Sequence, residues 1–184
     1  CRQFNMKKIL LLVTGMSPQI VTETLYGLAV RPADGKQKWV PDEVHVLSTL
    51  DGLNQVRDRL FAKGNFAQMQ TDYPQLASIR FDDNCLHSIC DANRQPLTDL
   101  KTPIDNEYAA NAICNVVRQF TADNNVQLHV SIAGGRKTMG FYAGYALSLY
   151  GRVQDRMSHV LVSSEFESSR EFFYPASTPQ TTFI

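Results

Sequence analysis

The stretch Lys7-Lys8-Ile9-Leu10-Leu11-Leu12-Val13-Thr14-Gly15-Met16-Ser17-Pro18 passes from a continuous apolar run into a helix start. Apolar residues from Ile9 to Val13, with no polar alternation, are what a central strand buried on both faces requires. Ser17 is a preferred N-cap, and Pro18 is preorganised for the first helical position. Ile20, Val21, Thr24, Leu25 and Leu28 then recur at helical spacing to about Val30. The result is a strand, a short polar loop and a helix, the opening half of a βαβ unit.

The same rhythm continues outward. Val44 to Ser48 reads as a second strand, followed by a helix marked by Leu53, Val56, Leu60 and Phe61 after Asp51-Gly52. A weaker strand is expected at Ser78 to Phe81. Residues 82–102 break the pattern, and Leu86 to Cys90 with Arg94 to Thr98 are expected to form a hairpin around Asp91-Ala92-Asn93. Pro103 opens a long helix carrying Ile104, Tyr108, Ala112, Val116 and Phe120 every four residues. Gln127 to Ile132 alternates as a strand, with Leu128, Val130 and Ile132 on one face. A helix from about Lys137 to Tyr150, a strand at Met157 to Ser163 and a short last strand at Phe172 to Tyr174 complete the reading. Alternation of this kind predicts an α/β fold with a mostly parallel sheet of about six strands and helices on both faces.

Length and charge narrow the class. The 184 residues are expected to form a single domain, residues 6–184, with Cys1 to Asn5 ahead of Met6 as a cloning remnant. The composition, 43% hydrophobic and 20% charged, belongs to an ordinary globular chain rather than a disordered or coiled-coil one. Ile9 to Val13 is the longest apolar run, too short to span a bilayer, and no signal peptide is visible; no membrane association and a cytoplasmic location are expected. Eighteen basic and eighteen acidic side chains balance. A protein that coats long nucleic acid draws most of its affinity from phosphate neutralisation and usually carries a basic excess. No long nucleic acid is therefore expected as a partner. A small phosphorylated ligand, held by a few placed groups, remains compatible. Cys1, Cys85, Cys90 and Cys114 form no CxxC pair and read as reduced thiols, with no zinc site.

In open α/β sheets, ligands bind beyond the carboxyl ends of the strands where strand order reverses. Two loops stand out there, Thr14 to Pro18 and Ala133 to Thr138. Gly134-Gly135-Arg136-Lys137-Thr138 sets two glycines and two cations at a helix N-terminus. Glycines admit close backbone approach, and unpaired helical N–H groups bind phosphate oxygens. Cations at that end oppose the helix dipole, a conflict that a bound anion relieves. The alternative is a tight turn with two solvated basic residues. A Walker A loop fits poorly, because Arg136 separates Gly135 from Lys137 and Val130 holds the upstream glycine position. Thr14-Gly15-Met16-Ser17-Pro18 offers two hydroxyls at a second helix start, with Ser17 read first as a cap; it contains no GxGxxG fingerprint.

His45, His87, His129 and His159 show no metal-ligand spacing and read as structural. Asp82-Asp83 reads as a pair of solvated carboxylates. The pairs Arg80–His87 and Arg152–His159 fall inside the loose Arg-x(4–6)-His pattern of HEPN ribonucleases, but that nuclease needs a helical domain for which this chain has no room.

Gly15-Met16-Ser17-Pro18-Gln19-Ile20-Val21-Thr22-Glu23-Thr24-Leu25-Tyr26 together with Ser131-Ile132-Ala133-Gly134-Gly135-Arg136-Lys137-Thr138-Met139-Gly140 resembles the CARF domains, CRISPR-associated Rossmann-like sensors of cyclic oligoadenylate. The similarity is greater to the short stand-alone ring nucleases. It continues through Tyr142 to Tyr150, Arg152 to Ser163 and Phe172 to Pro175, leaving residues 82–102 and the Thr/Pro tail outside. The resemblance implies a Rossmann-like fold and a homodimer, with one cyclic tetra-adenylate across the two-fold axis. It also implies cleavage without metal or cofactor, by 2′-hydroxyl attack, to linear products with a 2′,3′-cyclic phosphate. The consequence would be to switch off type III CRISPR signalling. The motif serine is Ser17 and the motif lysine is Lys137, both implied to be catalytic. Thr14, Gly15, Met16, Gln19, Gly134, Gly135, Arg136, Thr138 and Met139 are the implied ligand contacts. Met16 departs from the small polar residue that several relatives carry there.

The charges agree with that implication. A cyclic tetra-adenylate has four negative charges, and a dimer presents two copies each of Arg136 and Lys137. A lysine with an ordinary pKa near 10.4 acts here as a cation rather than a base. A sponge or sensor that binds the ring without cutting it is the alternative class of function, and an unrelated small-nucleotide-binding protein is a third.

Overall fold

The computed structural model of the chain describes residues 5–132 and 137–159. Five strands form one sheet in the order β3-β2-β1-β4-β5. They are β1 (Lys7–Val13), β2 (Glu43–Ser48), β3 (Leu86–Ser88), β4 (Val126–Ile132) and β5 (Arg156–His159). All four pairings are parallel. The helices are α1 (Gln19–Leu25), α2 (Leu50–Val56), α3 (Asn65–Asp72), α4 (Pro103–Thr121) and α5 (Lys137–Tyr150). The α/β class and the parallel sheet are those expected. No helix among the described residues is long and apolar enough to cross a membrane.

β1 lies between β2 and β4, which explains its unbroken apolar sequence: both faces need apolar side chains. Leu10 and Leu12 enter one core with Ile20, Val21 and Leu25 of α1, Leu53 of α2 and Met69 of α3. Ile9, Leu11 and Val13 enter the other with Ile113 and Val117 of α4 and Ala143 of α5. Leu10, Leu11, Leu12, Leu25 and Leu128 have no exposed surface, and each such side chain contributes about 1.5–3 kcal/mol relative to exposure.

The helix starts follow local chemistry. Thr102 and Asp105 form a reciprocal capping box at α4, with Pro103 as its first residue. Thr49 caps α2, its Oγ1 accepting from Gly52 N. α1 and α2 run on into π-helical turns at Tyr26–Val30 and Arg57–Ala62.

Three expectations change. Ser78 to Phe81 is not a strand: only Arg80 bridges to Glu43. The backbone turns before it, through Ile79 N to Leu76 O, and after it, where Asp82 accepts from Asn84 N. Leu86 to Ser88 is not a hairpin arm but a parallel edge strand on β2. The hairpin is confined to residues 89–97, with a Cys90–Pro96 bridge and Leu97 N donating to Ile89 O at 2.8 Å. Five strands are thus present among the described residues where about six were expected. The expected strand at Phe172 to Tyr174 and the second half of Met157 to Ser163 lie outside the described residues.

The hairpin turn is tied by Asp91, whose Oδ1 accepts from Asn93 N at 2.8 Å and Gln95 N at 3.0 Å. Arg94 sits there at φ 59°, the only non-glycine with positive φ among the described residues. A Cβ makes that region costly. Arg94→Gly should therefore stabilise the fold by up to about 1 kcal/mol, or a rise of a few degrees in thermal midpoint. A lower midpoint would mean that the Arg94 side chain contributes more than its backbone strain costs.

Candidate functional site

The strand order places the switch point between β1 and β4. From β1 the chain crosses by α1 on one face to β2; from β4 it crosses by α5 on the other face to β5. Val13 and Ile132 are register partners at the carboxyl edge, so the two loops singled out in the sequence leave neighbouring strand ends. The crevice between them is the ligand position of such sheets.

The first loop is well fixed at its base. Thr14 is buried and its N–H donates to Leu47 O at 3.2 Å. Ser48 Oγ, buried at the end of β2, donates to Thr14 O at 2.8 Å and reaches Gly15 O at 3.3 Å. Beyond that base the loop opens: Gly15 is half-buried, and Met16 and Ser17 are exposed. Pro18 already has helical dihedrals, φ −69° and ψ −19°. The expected cap hydrogen bond is absent, however. Ile20 N reaches Ser17 O at 3.4 Å, and the Ser17 hydroxyl has no partner among the described residues. As a correction, Ser17 does not use its hydroxyl on the helix among the described residues. Gln19 follows, half-buried.

Of the second loop, Gly134, Gly135 and Arg136 lie outside the described residues. Lys137 and Thr138 begin α5, their side chains outside the described set. Met139 is buried in the core shared with α4 and β4, which makes it a packing residue.

A third strand end is closed. Leu50 N donates to Leu97 O at 2.8 Å and Asp51 N to Thr98 O at 3.3 Å, so the hairpin occupies the first N–H groups of α2. Ser48 and the contact of the hairpin with α2 were not identified from sequence. Those contacts span 33 or more residues, and no local pattern reports them.

The remaining titratable residues gather elsewhere. At the amino edge, Lys7 and Arg80 pair with the buried Glu43 carboxylate, Arg80 at 3.2 Å. Burial would raise its pKa, but Lys7, His45 and Arg80 hold it below the ordinary value. His45 Nδ1 lies 2.9 Å from His87 Nε2, and its Nε2 lies 3.5 Å from Glu43 Oε1. Glu43, His45 and Cys85 bring metal-ligand atoms within 4.8 Å of one another, a grouping that sequence spacing does not reveal. Two cations already neutralise its carboxylate, so the group reads as an ion-pair and histidine network. It also lies at the sheet edge away from the crevice. Arg152 is likewise structural, donating to Asp155, Asp123 O and Val126 O. Cys85, Cys90 and Cys114 are free thiols.

Burial lowers the pKa of His45 and of His129 to about 4, and burial also holds that of His87 below its ordinary value. Burial raises that of Glu23 to about 7. The signs oppose. Neutral buried histidines stabilise fully above the unfolded pKa of about 6.5 and lose that contribution as pH falls toward 4. Glu23 stabilises fully below its ordinary value and loses its contribution as pH rises through about 7. With three histidines against one carboxyl, the thermal midpoint should climb from about pH 4.5 to about 6.5. Glu23→Gln should raise it further at about pH 7.5, where the wild-type carboxylate is ionised. Calorimetry giving a falling midpoint over the acid range would contradict this balance.

A family model described as CRISPR-associated protein NE0113 matches residues 17–183. The match runs from Ser17 through both loops' helices and spans residues 82–102 as well. No curated protein matches the chain.

Proposed function

The chain belongs to the CRISPR-associated protein NE0113 family, and from that premise we propose that it is a ring nuclease acting on cyclic tetra-adenylate. The observation that carries the proposal is the adjacency of the carboxyl ends of β1 and β4 at the switch point, with Val13 beside Ile132. One loop brings a serine hydroxyl with no partner among the described residues, the other a Gly-Gly-Arg-Lys sequence. Together they supply close backbone approach, hydroxyl contact and positive charge, which are the needs of a phosphodiester ligand.

In this reading the nucleophile belongs to the substrate. A ribose 2′-oxygen bonds to the adjacent phosphorus, the bond to the 5′-oxygen breaks, and the 2′-hydroxyl proton leaves as the 5′-oxygen gains one. The products are linear, with a 2′,3′-cyclic phosphate. The enzyme then works by alignment and by charge stabilisation: Ser17 orients the reacting ribose or phosphate, Lys137 stabilises the developing negative charge, and Arg136 holds the ring.

The active form is a homodimer across whose axis the ring lies. A stripe on α5 supports this: Phe141, Tyr145 and Leu149, one turn apart, are 71%, 53% and 55% exposed. Large apolar side chains aligned on one helix face mark an interaction surface.

Radiolabelled cyclic tetra-adenylate incubated with the pure protein tests the proposal. Expected is conversion to linear cyclic-phosphate products at the same rate with and without EDTA. Turnover lost in EDTA and restored by magnesium or manganese would overturn the mechanism. Tight binding with no turnover would make the protein a sponge.

A further inference from the structure

The proposed reading assigns roles to Ser17 and Lys137 but leaves open what sets the loop between β1 and α1. We infer that Ser48 is a positioning residue: it orients the Thr14–Gly15 backbone so that the N–H groups of Gly15 and Met16 donate to a phosphate of the bound ring. The inference rests on the ring-nuclease reading for the identity of that phosphate. Its geometry is independent of it.

Ser48 Oγ lies 2.8 Å from Thr14 O and 3.3 Å from Gly15 O, so two successive carbonyls lean toward one hydroxyl. In a trans peptide the N–H points opposite to the C=O of the same unit. The N–H groups of Gly15 and Met16 are therefore turned away from Ser48, and that of Gly15 faces the side of β1 where β4 ends. Neither has an acceptor among the described residues. Two adjacent N–H groups directed the same way form an anion-binding concavity. In a regular strand successive carbonyls alternate in direction, so the Gly15 carbonyl needs something to draw it to the same side.

Ser48 supplies that draw, and Gly52 supplies the room. A Cβ on Gly52 would fall 2.2 Å from Ser48 Oγ and 2.6 Å from Gly15 O. The first turn of α2 thus presses against the loop where only hydrogen fits. Ser48 itself is fully buried and cannot touch the ligand, so it acts only through the loop.

Amide chemical shifts in ¹⁵N-labelled protein report on this arrangement directly. On titration with cyclic tetra-adenylate, the Gly15 and Met16 amide protons should move downfield as they donate to the phosphate. Ser48→Ala should weaken binding at least tenfold and abolish those two shifts, measured well below its thermal midpoint. Ser48→Thr, which keeps the hydroxyl, should restore both; Gly52→Ala should reproduce the loss while retaining Ser48. A role confined to stability would lower the midpoint and leave affinity and shifts intact, and that result overturns the inference. So does ring binding to wild type that leaves both amides unmoved. If wild type does not bind the ring at all, the ring-nuclease reading fails. The same titration with inorganic pyrophosphate then decides the inference: saturable movement of both amides, lost in Ser48→Ala, upholds the anion cradle, and no movement refutes it.

Discussion

Lys137→Ala is expected to lower the single-turnover rate of cyclic tetra-adenylate cleavage by about 10²–10³-fold, the usual cost of removing one preorganised donor to a developing oxyanion. Lys137 opens α5 directly after the β4 loop, one residue beyond two glycines, a residue type that permits close approach. In the proposed reaction the charge it would meet grows as the phosphorus gains a fifth oxygen, so its contribution would be larger in the transition state than in the bound ring. Affinity should fall less, because Arg136 remains. Arg136→Ala should show the reverse emphasis, a larger loss of binding than of rate. The two variants therefore separate along different axes of the same assay, with sedimentation confirming that both remain folded and assembled. Equal rates in wild type and Lys137→Ala would remove the catalytic assignment while leaving the family untouched.

Legibility in the sequence follows the range of the interactions involved. β1 is plain because burial on both faces leaves no polar position in Ile9 to Val13. α4 is plain because Thr102, Pro103 and Asp105 carry its start locally and its apolar residues repeat every four. The two loops are legible as candidates since glycines, hydroxyls and cations gather there at the ends of strands. The features that escape a sequence reading depend on pairing at a distance. Leu86 to Ser88 joins β2 in parallel from some forty residues away, and a short strand carries no mark of its partner's direction. α3 is short and mostly polar, with Phe66 and Met69 its buried residues, which leaves little periodicity to detect. At the site, Ser17 reads as a cap from its type. No described residue engages its hydroxyl; the backbone bonds at the helix start run from Ile20 and Val21 to Ser17 O and Pro18 O. The grip of Ser48 on the loop and the closure of α2 by the hairpin are likewise contacts between segments far apart in sequence.

The proposed homodimer carries the second large effect. Phe141→Glu combined with Tyr145→Glu should convert the protein to monomer and weaken ring binding by at least a hundredfold. Both side chains point outward from α5, 71% and 53% exposed, while Ala143 and Ala146 on the opposite side enter the core. The substitution therefore leaves the interior unchanged, and the monomer should keep its thermal midpoint once dimer stabilisation is subtracted. Across a two-fold axis each substitution occurs twice, which sets four carboxylates into a surface that aromatic side chains otherwise fill. Burying charge without a partner costs far more than the lost aromatic contact, so association fails outright. Ring affinity falls with it because each protomer holds one Arg136 and one Lys137 against four phosphates, and a half-site retains half of the matching charge. Val153→Glu, at a fully exposed turn after α5, is the control and should remain dimeric with normal binding. Sedimentation of the double variant as a dimer, with wild-type affinity, would show that the α5 stripe is not the surface through which two copies share the ring.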